Sequence, residues 1–330
     1  MHLLLILLAL TTTLSAQPPG IPTAADSAKN TRIKWVNEPK PGQLPEGVTH
    51  RTFRSAAFGR DVGYCIYLPP GYATDAARRY PVIYNLHGAG GNELHSFSSA
   101  KALHDGIVAG RWPAMILVLP NGGSHTFYKN SADGKLPAET LIIRELIPHV
   151  DATYRTVASR TGRAIEGFSM GGRGATRLAM KYPELFCSLH NQAGNVMHLL
   201  DLYDPKKPDA YPNSYLGPDR ERYEENDVYS LIKKNAAAIK SGVRILITCG
   251  TRPSAVGPKT AGHRNKKGRG HPTRSRGSAV YPRTSAPARA LPRLPRGPHS
   301  APCPTLPFSS RRYSILAPPL PSPSPVRWPV

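Results

Sequence analysis

A chain of 330 residues is long enough to bury a sizeable core, and it carries 43 Lys and Arg against 21 Asp and Glu. The excess is local: residues 251–330 hold fifteen Lys or Arg, no Asp or Glu, and seventeen of the thirty-five prolines, which leaves about +7 for everything before. Basic residues without a recognition motif or interleaved aromatics give no specific nucleic-acid interface, and with neither HExxH nor CxxC pairs no metal site is expected.

The chain opens on "LLLILLAL", Leu3 to Leu10, an apolar run of signal-peptide length and too short for a bilayer, which needs roughly 20 helical residues. Ser15-Ala16 offers a cleavage point before Gln17, so residues 1–16 read as a signal peptide and the protein as secreted or periplasmic; a buried N-terminal helix is the alternative. No later segment is long and apolar enough for a membrane span. Residues 17–46, polar and punctuated by proline, read as a linker or surface arm.

Periodic structure then begins, and residues 47–251 are expected to form one domain. "VTHRTFRS" (Val48 to Ser55) and "VGYCIYLPP" (Val62 to Pro70) alternate as half-buried strands around a turn at Phe58 to Asp61. "YPVIYNLHG" (Tyr80 to Gly88), "AMILVLPNG" (Ala114 to Gly122) and "RAIEGFS" (Arg163 to Ser169) are apolar strands that end in glycine or at a serine. Helices are predicted over Asn92 to Ala109, Pro137 to Tyr154 with a bend at Pro148, Gly171 to Tyr182 and Val228 to Lys240, before a strand at Val243 to Cys249. Alternation of this kind implies an α/β fold with a mostly parallel sheet flanked by helices. Asn195 to Asn226 has no sustained period and reads as an insertion, either shaping a cleft or inert. Cys65, Cys187 and Cys249 sit in apolar runs, where a thiol behaves as a small hydrophobe.

The strongest motif is "GFSMGG", Gly167 to Gly172. It satisfies G-x-S-x-G, with a strand before it and a helix after it. The chemistry needs this context. A serine on a tight strand-to-helix turn exposes its hydroxyl, flanking Gly167 and Gly171 leave room for the turn, and the helix N-terminus favours the anion formed on attack. Ser169 is therefore the candidate nucleophile. "LHGAGG", Leu86 to Gly91, ends a core strand where a second oxyanion donor arises in such folds, so the backbone N–H groups of Ala89 and Met170 are the candidate oxyanion hole. His87 reads as a residue packing under that loop. No Gly-Lys-Ser/Thr follows that would make the loop a phosphate cradle.

"VGYCIYLPPGY", "RYPVIYNLHGAGG", "ELIPHVDATYRT" and "AIEGFSMGGRGATRLAMKYPELF", in this order, resemble the esterase D and feruloyl/acetyl-xylan esterase family of α/β-hydrolases over Val48 to Thr251. The resemblance implies a secreted serine carboxylesterase acting on acetyl or feruloyl esters, of small molecules or of polysaccharide, without a cofactor. It also implies the order nucleophile, acid, histidine. The acid is expected just after "CGT", where Arg252 and Pro253 stand, and no Asp or Glu follows Asp227. His263, His271 and His299 come later, but none follows a credible strand. Residues 252–330 have the composition of a disordered tail and of an out-of-frame translation of GC-rich coding sequence; a genuine basic tail that binds an anionic polymer is the alternative.

The reading is thus an α/β-hydrolase cut short at its last strands, impaired because its triad acid and base are not identifiable. An inactive carbohydrate-binding homologue, or a serine peptidase or acyltransferase on the same fold, are the rivals.

Overall fold

The computed structural model describes residues 33–207, 210 and 212–249. The signal-like segment and residues 252–330 lie outside them, as do His263, His271 and His299.

Seven strands of the described residues form one sheet: β1 (Val48–Ser55), β2 (Arg60–Tyr67), β3 (Val82–Leu86), β4 (Ile116–Pro120), β5 (Arg163–Phe168), β6 (Ser188–Gln192) and β7 (Arg244–Thr248). Their order is β1-β2-β4-β3-β5-β6-β7. The β1–β2 hairpin and the β2–β4 pairing are antiparallel, whereas β4, β3, β5, β6 and β7 run parallel. All five parallel strands therefore end at one edge, where their connections gather, and that edge holds the motifs. Strand β6 carries Ser188, His190, Asn191 and Gln192 and has none of the apolar continuity by which its neighbours were legible.

The parity of the strand residues divides the core. Val82, Tyr84, Leu86 and Ile165 share a core with α3 (Ile147–Thr153), α4 (Met170–Lys181) and α7 (Val228–Lys234), and with Leu141 to Leu146, which follow α2 (Ala138–Thr140). Ile83, Leu117 and Ala164 face α1 (Phe97–Val108) on the other side. Both faces being covered is why these strands read as unbroken apolar runs.

The helix expected from Pro137 to Tyr154 is continuous but changes form, with a π-helical stretch at Leu141–Leu146 joining α2 to α3. Pro148 supplies no N–H, so the carbonyl one turn earlier loses its partner and the preceding turn widens. The helix expected from Val228 to Lys240 is two, α7 and α8 (Ala236–Lys240). They separate at Asn235, whose side-chain amide donates to the Met180 carbonyl at 2.7 Å.

The described residues of the stretch Asn195 to Asn226 are folded. It holds a 3-10 turn at Leu199–Leu202 and the short helices α5 (Asn213–Leu216) and α6 (Arg220–Glu224). Leu199, Tyr215, Leu216 and Tyr223 make a small core of their own. Helices of four or five residues are too short to impose a visible period. Ahead of β1, Trp35 is buried against Phe58, ring centroids 4.1 Å apart, and its carbonyl accepts from the Gly63 N–H at 2.7 Å.

At the far edge, β7 leaves Ile245, Leu246 and Ile247 between 39% and 63% exposed. Such side chains at a sheet edge have the character of residues that another element covers. Cys65 is a buried free thiol as its sequence context suggests; Cys249 is exposed and Cys187 is disulfide-bonded. Among the described residues no helix is long and apolar enough to cross a membrane.

Candidate active site

Ser169 sits between the end of β5 and the start of α4, with φ 53° and ψ −114°. A non-glycine residue held at positive φ in this way costs on the order of 1–3 kcal/mol and persists only where its surroundings over-determine it. Here the Ser169 N–H donates to the Gln192 carbonyl at 2.8 Å, and the Ser169 carbonyl accepts from the Arg173 N–H at 3.0 Å.

Close approach of backbones explains the glycines. A Cβ on Gly171 would lie 1.9 Å from the Leu86 carbonyl oxygen, and one on Gly167 would lie 2.4 Å from the Gly171 carbonyl carbon. The first turn of α4 is thereby pressed onto the end of β3. This brings the second motif alongside, since a Cβ on Gly88 would be 3.8 Å from the Ser169 Cβ. Ala89 is exposed at the top of the loop, Met170 is buried and Ser169 is half-buried between them. The predicted residues Gly167, Ser169, Met170, Gly171 and Ala89 thus share one small region.

The glycine loop is held from below by His87, 2% exposed. Its Nε2 accepts from the Gly122 N–H at 3.1 Å, which leaves Nδ1 to carry the proton and donate to the Gly88 carbonyl at 2.9 Å. Burial pushes its pKa down to about 4. His87 is therefore neutral near pH 7 and both ring nitrogens are committed, in keeping with a packing role.

Three supports have no sequence motif. Tyr128, fully buried at φ 57°, donates from its hydroxyl to the His87 carbonyl at 3.0 Å and lays its ring over Gly174 of α4. Glu93, also fully buried, accepts from the Asn37 N–H at 2.6 Å, the Asn37 side chain at 2.9 Å and the Asn121 side chain at 2.8 Å. It joins the segment before β1, the glycine loop and the end of β4. Beneath α4, Arg177 pairs with Glu139 and donates to the Tyr128 carbonyl, while Lys181 and the Tyr182 hydroxyl hold the other Glu139 oxygen at 3.0 and 2.5 Å. Burial works against the Glu139 charge, but Arg177 and then Lys181 outweigh it and hold the carboxyl at about 2.

On the α1 face a buried polar chain crosses four strands. Asn85 donates to Glu166 at 2.6 Å, Glu166 lies 3.4 Å from His190 Nδ1, and His190 Nε2 meets the Thr248 hydroxyl at 3.0 Å. It ends at the strand after which the triad acid was expected. Among the described residues no side chain is hydrogen-bonded to the Ser169 hydroxyl, so what the fold brings together is an elbow serine, the glycine loop against it and their supports.

The Esterase family model matches residues 55–270. Esterase MT1326 of Mycobacterium tuberculosis is 37% identical over 145 residues, which is 43% of this chain and 31% of that protein. An endo-1,4-beta-xylanase/feruloyl esterase of Xylanibacter ruminicola is 34% identical over 164 residues, 47% of this chain and 22% of that protein. The chain spans less than a third of the length of these curated relatives. Among solved structures, the fluorophosphonate-binding serine hydrolase FphF of Staphylococcus aureus superposes with a TM-score of 0.50 at 21% identity, covering 62% of this chain and 78% of that one. That likeness concerns the fold, an α/β-hydrolase sheet with flanking helices.

Proposed function

This chain belongs to the Esterase family, and from that membership we propose that it is an exported serine carboxylesterase-like protein in which Ser169 is the nucleophile. The observation that carries the reading is the Ser169 backbone, held at φ 53° on a strand-to-helix turn with the glycine loop against it.

Attack by the Ser169 oxygen on an ester carbonyl forms a tetrahedral oxyanion. The Met170 and Ala89 N–H groups receive it, and loss of one such donor costs roughly 10²- to 10³-fold in rate. The alcohol leaves with a proton, an acyl group stays on Ser169, and water hydrolyses it. Both halves need a base that takes a proton and returns it. The family order puts an acid and a histidine beyond β7, where this chain has Arg252 and Pro253 and then an acid-free run.

A serine hydrolase without its base loses on the order of 10⁶-fold in turnover, and the oxyanion hole with binding retains roughly 10³ to 10⁴ over water. The chain is thus an esterase by architecture and a poor catalyst in operation. Acetyl or feruloyl esters of polysaccharide are the substrate class that fits best, supported by the named activity of the Xylanibacter relative.

Hydrolysis of 4-nitrophenyl acetate and methyl ferulate by the chain and by Ser169→Ala tests this. Turnover close to background, with the small residue lost in Ser169→Ala, is expected. Robust turnover that survives Ser169→Ala would end the proposal.

A further inference from the structure

Away from Ser169, the described residues enclose a cleft of about 560 Å³ among Trp35, Phe58, Arg60, Asp133, Leu136 and Tyr215. Pockets of roughly 300–1,000 Å³ with an apolar lining and a few polar groups are the usual form of small-ligand sites. We infer that this cleft binds a uronic-acid-bearing sugar unit of a glycan whose ester is presented to Ser169. The inference rests on the esterase reading above and deepens it by naming the substrate class.

Topology sets the location. Tyr64 of β2 pairs with Pro120 at the end of β4, so Arg60 and the hairpin turn before it project past the edge where the parallel strands end. That is also the edge from which Ser169 emerges. The path from β2 to β5 crosses β4 and β3, three strand spacings or about 14 Å. A single small ester does not reach both places, whereas an oligosaccharide of a few units does.

Chemistry sets the occupant. Half-buried Phe58 and Leu136, backed by the buried rings of Trp35 and Tyr215, give the cleft an apolar side suited to the C–H face of a sugar ring. At the rim, Asp133 accepts from the Ser131 hydroxyl at 2.6 Å and the Lys135 N–H at 3.1 Å, and its other oxygen lies 3.6 Å from Lys135 Nζ. These two charges therefore answer each other. The Arg60 guanidinium has no carboxylate partner among the described residues, and the charged lining, Arg60 and Lys135 against Asp133, sums to +1. A planar guanidinium lining the same cleft as apolar side chains matches a carboxylate attached to a ring.

The test is calorimetric titration of the full chain with xylotetraose and with a xylo-oligosaccharide of the same length carrying one glucuronate. The acidic sugar is expected to bind at least about tenfold more tightly, as a charge-assisted hydrogen bond warrants. Arg60→Gln, at an exposed position, should erase the preference, and Arg244→Gln on β7 should leave it. Equal binding of both sugars, binding of neither, or a preference unchanged in Arg60→Gln overturns the inference. Fluorophosphonate labelling of the same preparation separates the two claims. A labelled Ser169 without sugar binding removes only the cleft assignment; an unlabelled Ser169 removes the esterase reading, and with it the cleft's role as a substrate subsite.

Discussion

Acidification should loosen the glycine loop before it touches the rest of the fold, because His87 is held neutral there. Its ring is 2% exposed, Nε2 accepts from Gly122 and Nδ1–H donates to Gly88. A proton added to Nε2 breaks the first bond and leaves a charge in a buried site. The pKa falls from 6.5 to about 4 on folding, chiefly through burial. Because the folded value is the lower one, the unfolded chain takes up the proton first. The stability tied to a neutral His87 is complete above pH 6.5 and is lost as pH falls toward 4. The full difference, about 2.5 pH units, corresponds to about 3 kcal/mol. Urea unfolding between pH 7 and pH 4 measures it when compared with His87→Asn, which keeps an acceptor for Gly122 but does not titrate. The parent should lose about 3 kcal/mol more than the variant across that range. Parallel pH profiles would refute the assignment of His87 as a buried neutral support.

Other consequences are local to named contacts. Gly171→Ala places a methyl 1.9 Å from the Leu86 carbonyl oxygen, so one backbone must move; a loss of about 3 kcal/mol in urea unfolding and weaker Ser169 labelling are expected. Glu139→Ala removes the carboxylate that pairs with buried Arg177, leaving its charge only the Tyr128 carbonyl and Asn226, and should cost about 3–5 kcal/mol by the same measurement, whereas a loss below about 1 kcal/mol would show the network to be incidental. Ile247→Lys, at 63% exposure on β7, should lower stability in urea unfolding by no more than about 0.5 kcal/mol, and a larger loss would show that this side chain is covered in the folded chain. Restoring an alternative reading frame near codon 252 should supply an acid close to that position and a later histidine, and raise ester turnover by orders of magnitude. A frame that supplies neither contradicts the proposed origin of the tail.

What was legible in the sequence was what depends on neighbours along the chain. The elbow could be read because strand, serine, glycines and helix are contiguous from Arg163 to Lys181. Strands β3, β4 and β5 could be read because burial on both faces forces unbroken apolar runs. Strand β6 could not, since His190 and Asn191 look polar until Glu166, Thr248 and Thr176 are seen to satisfy them. Glu93 and Tyr128 were invisible for the same reason. Their partners Asn37 and His87 lie 56 and 41 residues away, and no local pattern records such a bond. The cleft at Arg60 joins the segment before β1, the β1–β2 turn, the loop after β4 and the insertion, four pieces whose meeting only the fold determines.

The central proposal is that Ser169 is an addressable nucleophile although, among the described residues, no side chain is hydrogen-bonded to its hydroxyl to act as a base. Incubation of the full chain with a fluorophosphonate, followed by digestion and mass mapping, addresses it directly. The account predicts one slow adduct, on Ser169, that is absent in Ser169→Ala and weakened by Gly171→Ala. An unmodified Ser169 after prolonged exposure of folded protein, or an adduct on a different residue, would contradict it.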